Sequence, residues 1–308
     1  MIRRDEAYIE QMTINQVEEV ETDRGTRRYK NLVIGCSDGY EWDQLKYWVN
    51  SIRKTGYRGD VALVVLNGSA ETLEELAAHK VQAITLNKDG FGNAYHNSPI
   101  PVHVERFLHI YNHLRNCVGV YRYVLTTDVR DVVFQRNPFT YLQELNKSKV
   151  LYCSESLKYK DEPWGYNNIL EGYGPYIQEM MAEEPIYNVG IFGGVYQYVR
   201  DLCLDIFLGS INRPIPIVDQ ATYNVLLRNQ FYRVLGVLST GRHSWACNLG
   251  TTMDPSKIDS FRPHLLDPEP ILDGDTVCNH EGKPYFIVHQ YDRVPGLREA
   301  IYDKFGGD

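Results

Sequence analysis

Tyr123-Val124-Leu125-Thr126-Thr127-Asp128-Val129-Arg130-Asp131-Val132-Val133-Phe134 decides how this chain is read. Tyr123 to Thr127 is an apolar run of the kind that forms a buried strand. It runs straight into Asp128, and Arg130 and Asp131 follow before a second apolar run opens at Val132. Carboxylates clustered just past a buried strand are costly unless they meet a cation or solvent. Hard oxygen ligands at such a point suit Mn²⁺ or Mg²⁺, which can bridge to a substrate diphosphate. The alternative is a plain strand-end ion pair, with Arg130 neutralising Asp128 or Asp131.

Outward from this stretch the chain alternates. Asn31 to Cys36 is a buried strand closed by Ser37-Asp38-Gly39, and Leu45, Trp48, Val49 and Ile52 then recur at helical spacing. Val61 to Leu66 is a second strand, Glu71 to His79 a helix, and Val81 to Leu86 a third strand. Val104, Phe107, Leu108, Tyr111 and Leu114 mark another amphipathic helix before the strand at Tyr123. Strands alternating with helices predict an α/β fold with a mainly parallel sheet covered on both faces. Ligands of such open sheets bind beyond the carboxyl ends of the strands. That edge gathers Ser37, Asp38, Gly39 and Tyr40 with Asp128 to Asp131.

After Pro138 the pattern is less regular. Lys149 to Ser154 reads as a strand, and Tyr159 to Tyr176 as a loop rich in Tyr, Asn and Gly. Ile186 to Gly194 reads as a strand interrupted by glycine, and Arg200 to Leu208 as a helix. Asp219 to Arg228 is a helix with Asp219 placed to cap it. Tyr285 to His289 is a final strand. No internal repeat or linker is visible. The expected organisation is a polar arm or short peripheral helix over residues 1–30 and a single domain over 31–308. Within it, 31–138 would hold the nucleotide and 139–308 the sugar and acceptor.

The 308 residues are 43% hydrophobic and 23% charged, which excludes disordered and collagen-like classes. No run approaches the ~20 apolar residues of a membrane span, and the charged first thirty residues show no signal-peptide pattern. The net charge of -8 makes nucleic acid a poor partner, and a phosphate ligand would need local basic residues or a metal. None of the six cysteines forms a C-x-x-C pair. Buried thiols in a reducing, cytoplasmic compartment are the plain reading. The rival is a Golgi-lumen catalytic domain, supported weakly by the triplets Asn67-Gly68-Ser69 and Asn146-Lys147-Ser148.

The order of elements and the strand-end acidic motif resemble a GT-A-fold (Rossmann-like) glycosyltransferase. The nearest likeness is the glycogenin and galactosyltransferase-like family 8 group, over roughly Asn31 to Arg293. In that family a D-x-D motif after the fourth strand binds a divalent metal and touches the donor ribose. Asp128 matches its first carboxylate. The third position is Arg130, so either Asp131 supplies the missing ligand or Arg130 replaces part of the metal's charge.

The resemblance extends to four more segments. Cys36-Ser37-Asp38-Gly39-Tyr40 resembles the loop that holds base and ribose. Arg106 resembles the basic residue facing the donor phosphates. Tyr187-Asn188-Val189-Gly190 resembles the segment beside the transferred sugar, and Asp219-Gln220 the pair that contacts donor sugar or acceptor. Val288-His289-Gln290-Tyr291 resembles the strand end whose histidine completes the metal site.

The resemblance therefore implies catalytic roles for Asp219, Gln220 and Asn188. It implies donor binding by Cys36, Ser37, Asp38, Tyr40, Arg106, Thr127, Asp128, Val129 and Arg130. The implied metal ligands are Asp128, Asp131 and His289, holding Mn²⁺ ahead of Mg²⁺. The implied partners are a UDP- or GDP-sugar donor and a carbohydrate or glycoconjugate acceptor, with retained configuration.

Other chemistries fit less well. There is no G-x-G-x-x-G, P-loop or G-x-S-x-G. His96, His103, His109 and His113 are spaced too irregularly for zinc, and no H-E-x-x-H frame occurs. His243, Trp245, Cys247 and Asn248 form a late loop that could close over a donor. Two rivals remain: a sugar-phosphate nucleotidyltransferase, and a non-catalytic sugar binder on a decayed transferase scaffold. The first usually carries a Gly-rich basic loop after its first strand, whereas this loop is acidic. Arg130 in the acidic motif keeps the second alive.

Overall fold

Side chains of a strand alternate between faces, so an unbroken apolar run needs cover on both. Leu32 and Ile34 pack into one core while Val33 packs into the other. Val64 and Leu66 likewise oppose Leu63 and Val65, and Val124 opposes Tyr123 and Leu125. The computed structural model describes residues 18–22, 25–144, 150–228, 230–239 and 245–307. Its first half contains β1 (Glu18–Thr22), β2 (Gly25–Asp38), α1 (Trp42–Lys54), β3 (Asp60–Leu66), α2 (Ala70–Ala78), β4 (Gln82–Thr85), α3 (Val102–Arg115), β5 (Tyr121–Thr127) and β6 (Val132–Phe134). There follow α4 (Pro138–Glu144), β7 (Val150–Lys158), α5 (Pro163–Tyr173), α6 (Pro175–Met181), β8 (Pro185–Val195), α7 (Tyr196–Ser210), α8 (Asp219–Leu227) and β9 (Gly236–Ser239). The later strands are β10 (Ala246–Asn248), the hairpin β11 (Ile271–Asp273) and β12 (Thr276–Cys278), and β13 (Ile287–His289).

The central sheet runs β4-β3-β2-β5-β8-β7-β9, with β1 paired along the start of β2. The ladders β2/β3, β2/β5, β3/β4 and β7/β9 are parallel. β8 runs antiparallel to both β5 and β7. On one face α3 and α7 bury Phe107, Ile110, Leu202 and Ile206; on the other α1 buries Leu45, Trp48, Val49 and Ile52.

Three expectations change. Residues 18–22 and 25–30 are not an arm or helix: β1 and the first part of β2 pair antiparallel, with Glu18 opposite Tyr29. Residues 1–17 lie outside the described residues. The stretch from Tyr159 to Tyr176 is helical. Pro163 starts α5 with its fixed φ, and the Glu162 carboxylate accepts from the Trp164 and Gly165 N–H groups at 3.3 and 2.6 Å. Gly174, at φ 84°, then ends α5 and lets α6 begin. β8 runs unbroken from Pro185 to Val195, and the interruption falls on its ladder with β7, which skips Val189 to Ile191 around Gly190. A Cβ on Gly193 would stand 3.0 Å from the β5 side chain Leu125, so glycine permits the close strand packing.

A smaller three-stranded sheet, β10-β13-β6, lies beside the carboxyl edge of β5. Its register sets His289 opposite Val132 on one side and opposite Asn248 on the other. That pairing carries a late histidine to the acidic stretch after β5.

Candidate active site

Asp128 follows β5, and its backbone N–H donates to the Gly190 carbonyl at 2.7 Å. Because β8 runs opposite to β5, the first half of β8 lies at the carboxyl end of β5. Asn188 and Gly190 therefore stand beside Asp128. A Cβ on Gly190 would sit 2.5 Å from Asp128 Oδ2, so this position leaves room only for hydrogen.

Three predicted ligands converge. His289 Nε2 lies 3.4 Å from Asp128 Oδ2 and 3.5 Å from Asp131 Oδ1. His289 is 2% exposed, and neither ring nitrogen makes a hydrogen bond. Two carboxylates around a buried imidazole with unpartnered nitrogens are a donor set that fits a divalent cation. Burial works against charging His289, but Asp131 and Asp128 outweigh it and hold the imidazole up to about 10. Without a cation, a proton on His289 supplies the positive charge. Arg130, with a side chain 46% exposed, ion-pairs with Asp292 at 3.6 Å and with Asp131 at 3.9 Å.

Arg106, on α3, bridges the cluster to α8. It ion-pairs with Asp128 and reaches Asp219 Oδ2 at 3.1 Å. Burial disfavours the Asp128 carboxylate, yet Arg106 and His289 hold its pKa well below the usual range. Asp219 goes the other way: burial pushes its carboxyl up, with Arg106 only partly compensating. Asp219 is the first helical residue and not the cap. Val218 occupies the cap position, and no side chain caps α8. At 4% exposure Asp219 is committed to Arg106.

Two adjoining cavities share His103, Arg106 and Asp128. One, of about 250 Å³, is walled by Cys36, Asp38, Tyr40, Val129, Arg130 and Asp131. Burial pushes the Cys36 thiol up to about 12, so that thiol is a wall and not a nucleophile. Asp38 is held by the Asn67 amide, which donates to its Oδ1 at 2.7 Å. Two predicted residues do not reach this space. Ser37 is buried, and the Thr127 hydroxyl accepts from Trp48 Nε1 at 2.9 Å inside the core. His243 lies outside the described residues, as does Asn146; Trp245 is buried in the core.

The second cavity, about 230 Å³, contains Asn188, Asp219 and Gln220. It also holds Glu155, which sequence reasoning missed. Glu155 Oε1 accepts from Asn188 Nδ2 at 2.8 Å and from Gln220 Nε2 at 3.1 Å. Burial raises its pKa, and those two amides partly offset the rise. The only sequence signal was a carboxylate inside an apolar strand, just past the expected end of β7. Trp164, 54% exposed on α5, stands at the rim.

No protein-family model matches the sequence, and no curated protein is similar to it at the sequence level. Among solved structures the chain is similar to the galactosyltransferase LgtC, determined in complex with donor and acceptor sugar analogues. That match has a TM-score of 0.50 at 10% identity and covers 90% of this chain and 97% of the other. The expected GT-A fold is thereby borne out: a single α/β domain whose mainly parallel sheet is flanked by helices. Among the described residues no helix is long and apolar enough to cross a membrane. All six cysteines are free.

Proposed function

We propose that this protein is a glycosyltransferase that moves a sugar from a nucleoside diphosphate, UDP or GDP, to a hydroxyl of a carbohydrate or glycoconjugate. The observation that carries this reading is the union of a cation-competent cluster with two cavities. Asp128 lines both spaces, with Asp131 on the nucleotide side and His289 on the sugar side. Cys36, Asp38 and Tyr40 would wall the nucleotide side, and Asn188, Asp219 and Gln220 the sugar side.

Asp128, Asp131 and His289 would hold Mn²⁺ or Mg²⁺, which when bound neutralises charge growing on the departing diphosphate. Arg106 adds a fixed cation at the shared wall and helps wherever charge rises between ground and transition state. Glu155 holds the Asn188 and Gln220 amides in one orientation. Asp219 offers a carboxylate to the developing positive charge on the sugar or to the acceptor hydroxyl. The acidic Ser37-Asp38-Gly39 turn argues against a nucleotidyltransferase, whose corresponding loop is basic.

The test is a panel of UDP- and GDP-sugars with Mn²⁺, Mg²⁺ or excess chelator, read as free nucleoside diphosphate and as labelled glycan. The expected result is diphosphate release with one donor class, abolished by chelator, and a product of retained configuration by NMR. Conversion of the donor to nucleoside triphosphate and sugar 1-phosphate on adding pyrophosphate would favour nucleotidyl transfer. Binding without any release would reduce the protein to a sugar binder.

A further inference from the structure

The four histidines of residues 96–113 look too scattered in sequence to form a metal site. Folding changes their spacing. Glu105 and His109 are one turn apart on α3, and the segment after β4 brings His96 back against them. His96 Nε2 lies 3.0 Å from Glu105 Oε2, and His109 Nε2 lies 3.4 Å from Glu105 Oε1. The two imidazoles meet edge to face, with centroids 5.4 Å apart. One ligand atom from each of the three residues falls within 4.8 Å of the others.

We propose that His96, Glu105 and His109 form a second metal site, separate from the Asp128 cluster, that takes Zn²⁺. Zinc bonds of about 2.0–2.2 Å imply ligand atoms roughly 3.3–3.5 Å apart around a tetrahedron. The two measured separations, 3.0 and 3.4 Å to the two Glu105 oxygens, lie close to that range, so small side-chain shifts would complete the shell. The strongest independent sign is His109. It is nine-tenths buried, faces the cluster, and its Nε2 has no hydrogen-bond partner. A buried polar atom left unpaired calls for a physical partner, and an ion is one.

The donor set selects the ion. Two imidazoles and one carboxylate suit zinc-like borderline cations, whereas Mg²⁺ and Ca²⁺ prefer all-oxygen shells. The fourth position falls to water on the side of His96, whose side chain is 16% exposed. The Asp128 cluster has the opposite balance, two carboxylates to one imidazole, so the two sites would sort their metals.

Such an ion would pin the segment that precedes α3. The His96 N–H already donates to Asn67 Oδ1 at 2.9 Å, and the Asn67 amide donates to Asp38 in the nucleotide-side cavity. Arg106 follows Glu105 directly on α3. Zinc here would therefore brace two walls of the active site without touching substrate.

The proposal is tested on the full chain stripped of metal, whether or not the protein transfers sugar. Zn²⁺ is added, the protein is dialysed, and retained zinc is measured in wild type, Asp128→Asn, His96→Gln and Glu105→Gln. Co²⁺ replaces Zn²⁺ in parallel, because a tetrahedral site with two imidazoles gives intense visible absorption and an octahedral oxygen site does not. The expected result is one zinc per chain in wild type and Asp128→Asn. His96→Gln and Glu105→Gln should weaken binding at least ~100-fold, since even loss of an outer hydrogen-bond partner costs roughly 10–100-fold. Zn²⁺ should raise the melting temperature of wild type and leave that of His96→Gln unmoved. His96 sits outside the helices, and unchanged circular dichroism would show that its variant folds. Failure of wild type to retain zinc would overturn the proposal. So would equal retention by His96→Gln, or loss in Asp128→Asn alone.

Discussion

A single methyl group on Gly190 is the smallest change that reaches the cation cluster. It would sit 2.5 Å from Asp128 Oδ2 and 2.8 Å from Asn188 Oδ1, so a carboxylate already tied to Arg106 has to move. Displacing a reacting group by about 1 Å can cost roughly 100-fold in rate. Gly190→Ala should therefore lower transfer by about that factor while the protein stays folded at 25 °C. Steady-state kinetics with circular dichroism checks both. Asp219→Asn separates charge from shape. Since Asp219 does not cap α8, loss of its charge leaves the helix start intact, and Arg106 keeps Asp128 as a partner. Transfer should fall at least ~100-fold with a small change in donor KM, as for an interaction made mainly in the transition state. A wild-type rate would leave Asp219 only the task of neutralising Arg106.

At the scale of elements, α5 shows how a capping group can outweigh composition. Its sequence, Pro163 to Tyr173, contains two glycines, two tyrosines and two asparagines, which read as loop. What makes it a helix is the junction, where Glu162 satisfies two of the N–H groups that a helix start leaves open. Glu162→Ala should cost about 1 kcal/mol of stability, seen as a lower urea midpoint. Because α5 carries Trp164 at the rim, the acceptor KM should rise as well. The elements between Asn31 and Thr127 were legible because they are apolar runs or carry a 3.6 period. The Asp128, Asp131 and His289 set was legible because its residue types and order are distinctive. Glu155 was not, since nothing local marks one carboxylate in a strand as the residue that orients Asn188 and Gln220. The convergence of His96 with Glu105 and His109 was hidden for another reason. It depends on where the segment after β4 returns, which spacing along the chain does not encode.

For the molecule as a whole, an aromatic stack runs between the two halves beside the β5–β8 ladder. Phe107 of α3, Phe192 of β8 and Tyr223 of α8 lie in sequence, with centroids 6.2 and 5.4 Å apart. All three are essentially buried. Phe192→Ala should lower the unfolding free energy by about 3–5 kcal/mol, the usual cost of removing a buried phenyl ring. Because α3 and α8 carry Arg106 and Asp219, the same variant should lose transfer activity before it unfolds. Activity and circular dichroism followed together through a thermal ramp would show the two curves separating.

The pairing of β13 with β6 also bears on when the protein becomes competent during its own synthesis. Asp128 and Asp131 emerge from the ribosome long before His289. At about 5–20 residues per second, the interval is on the order of ten seconds. Until β13 is made, β6 lacks the strand that brings His289 to the carboxylates. A nascent chain can therefore fold its parallel strands β2 to β5 and still be unable to close the cation cluster. Competence therefore waits on the synthesis of β13.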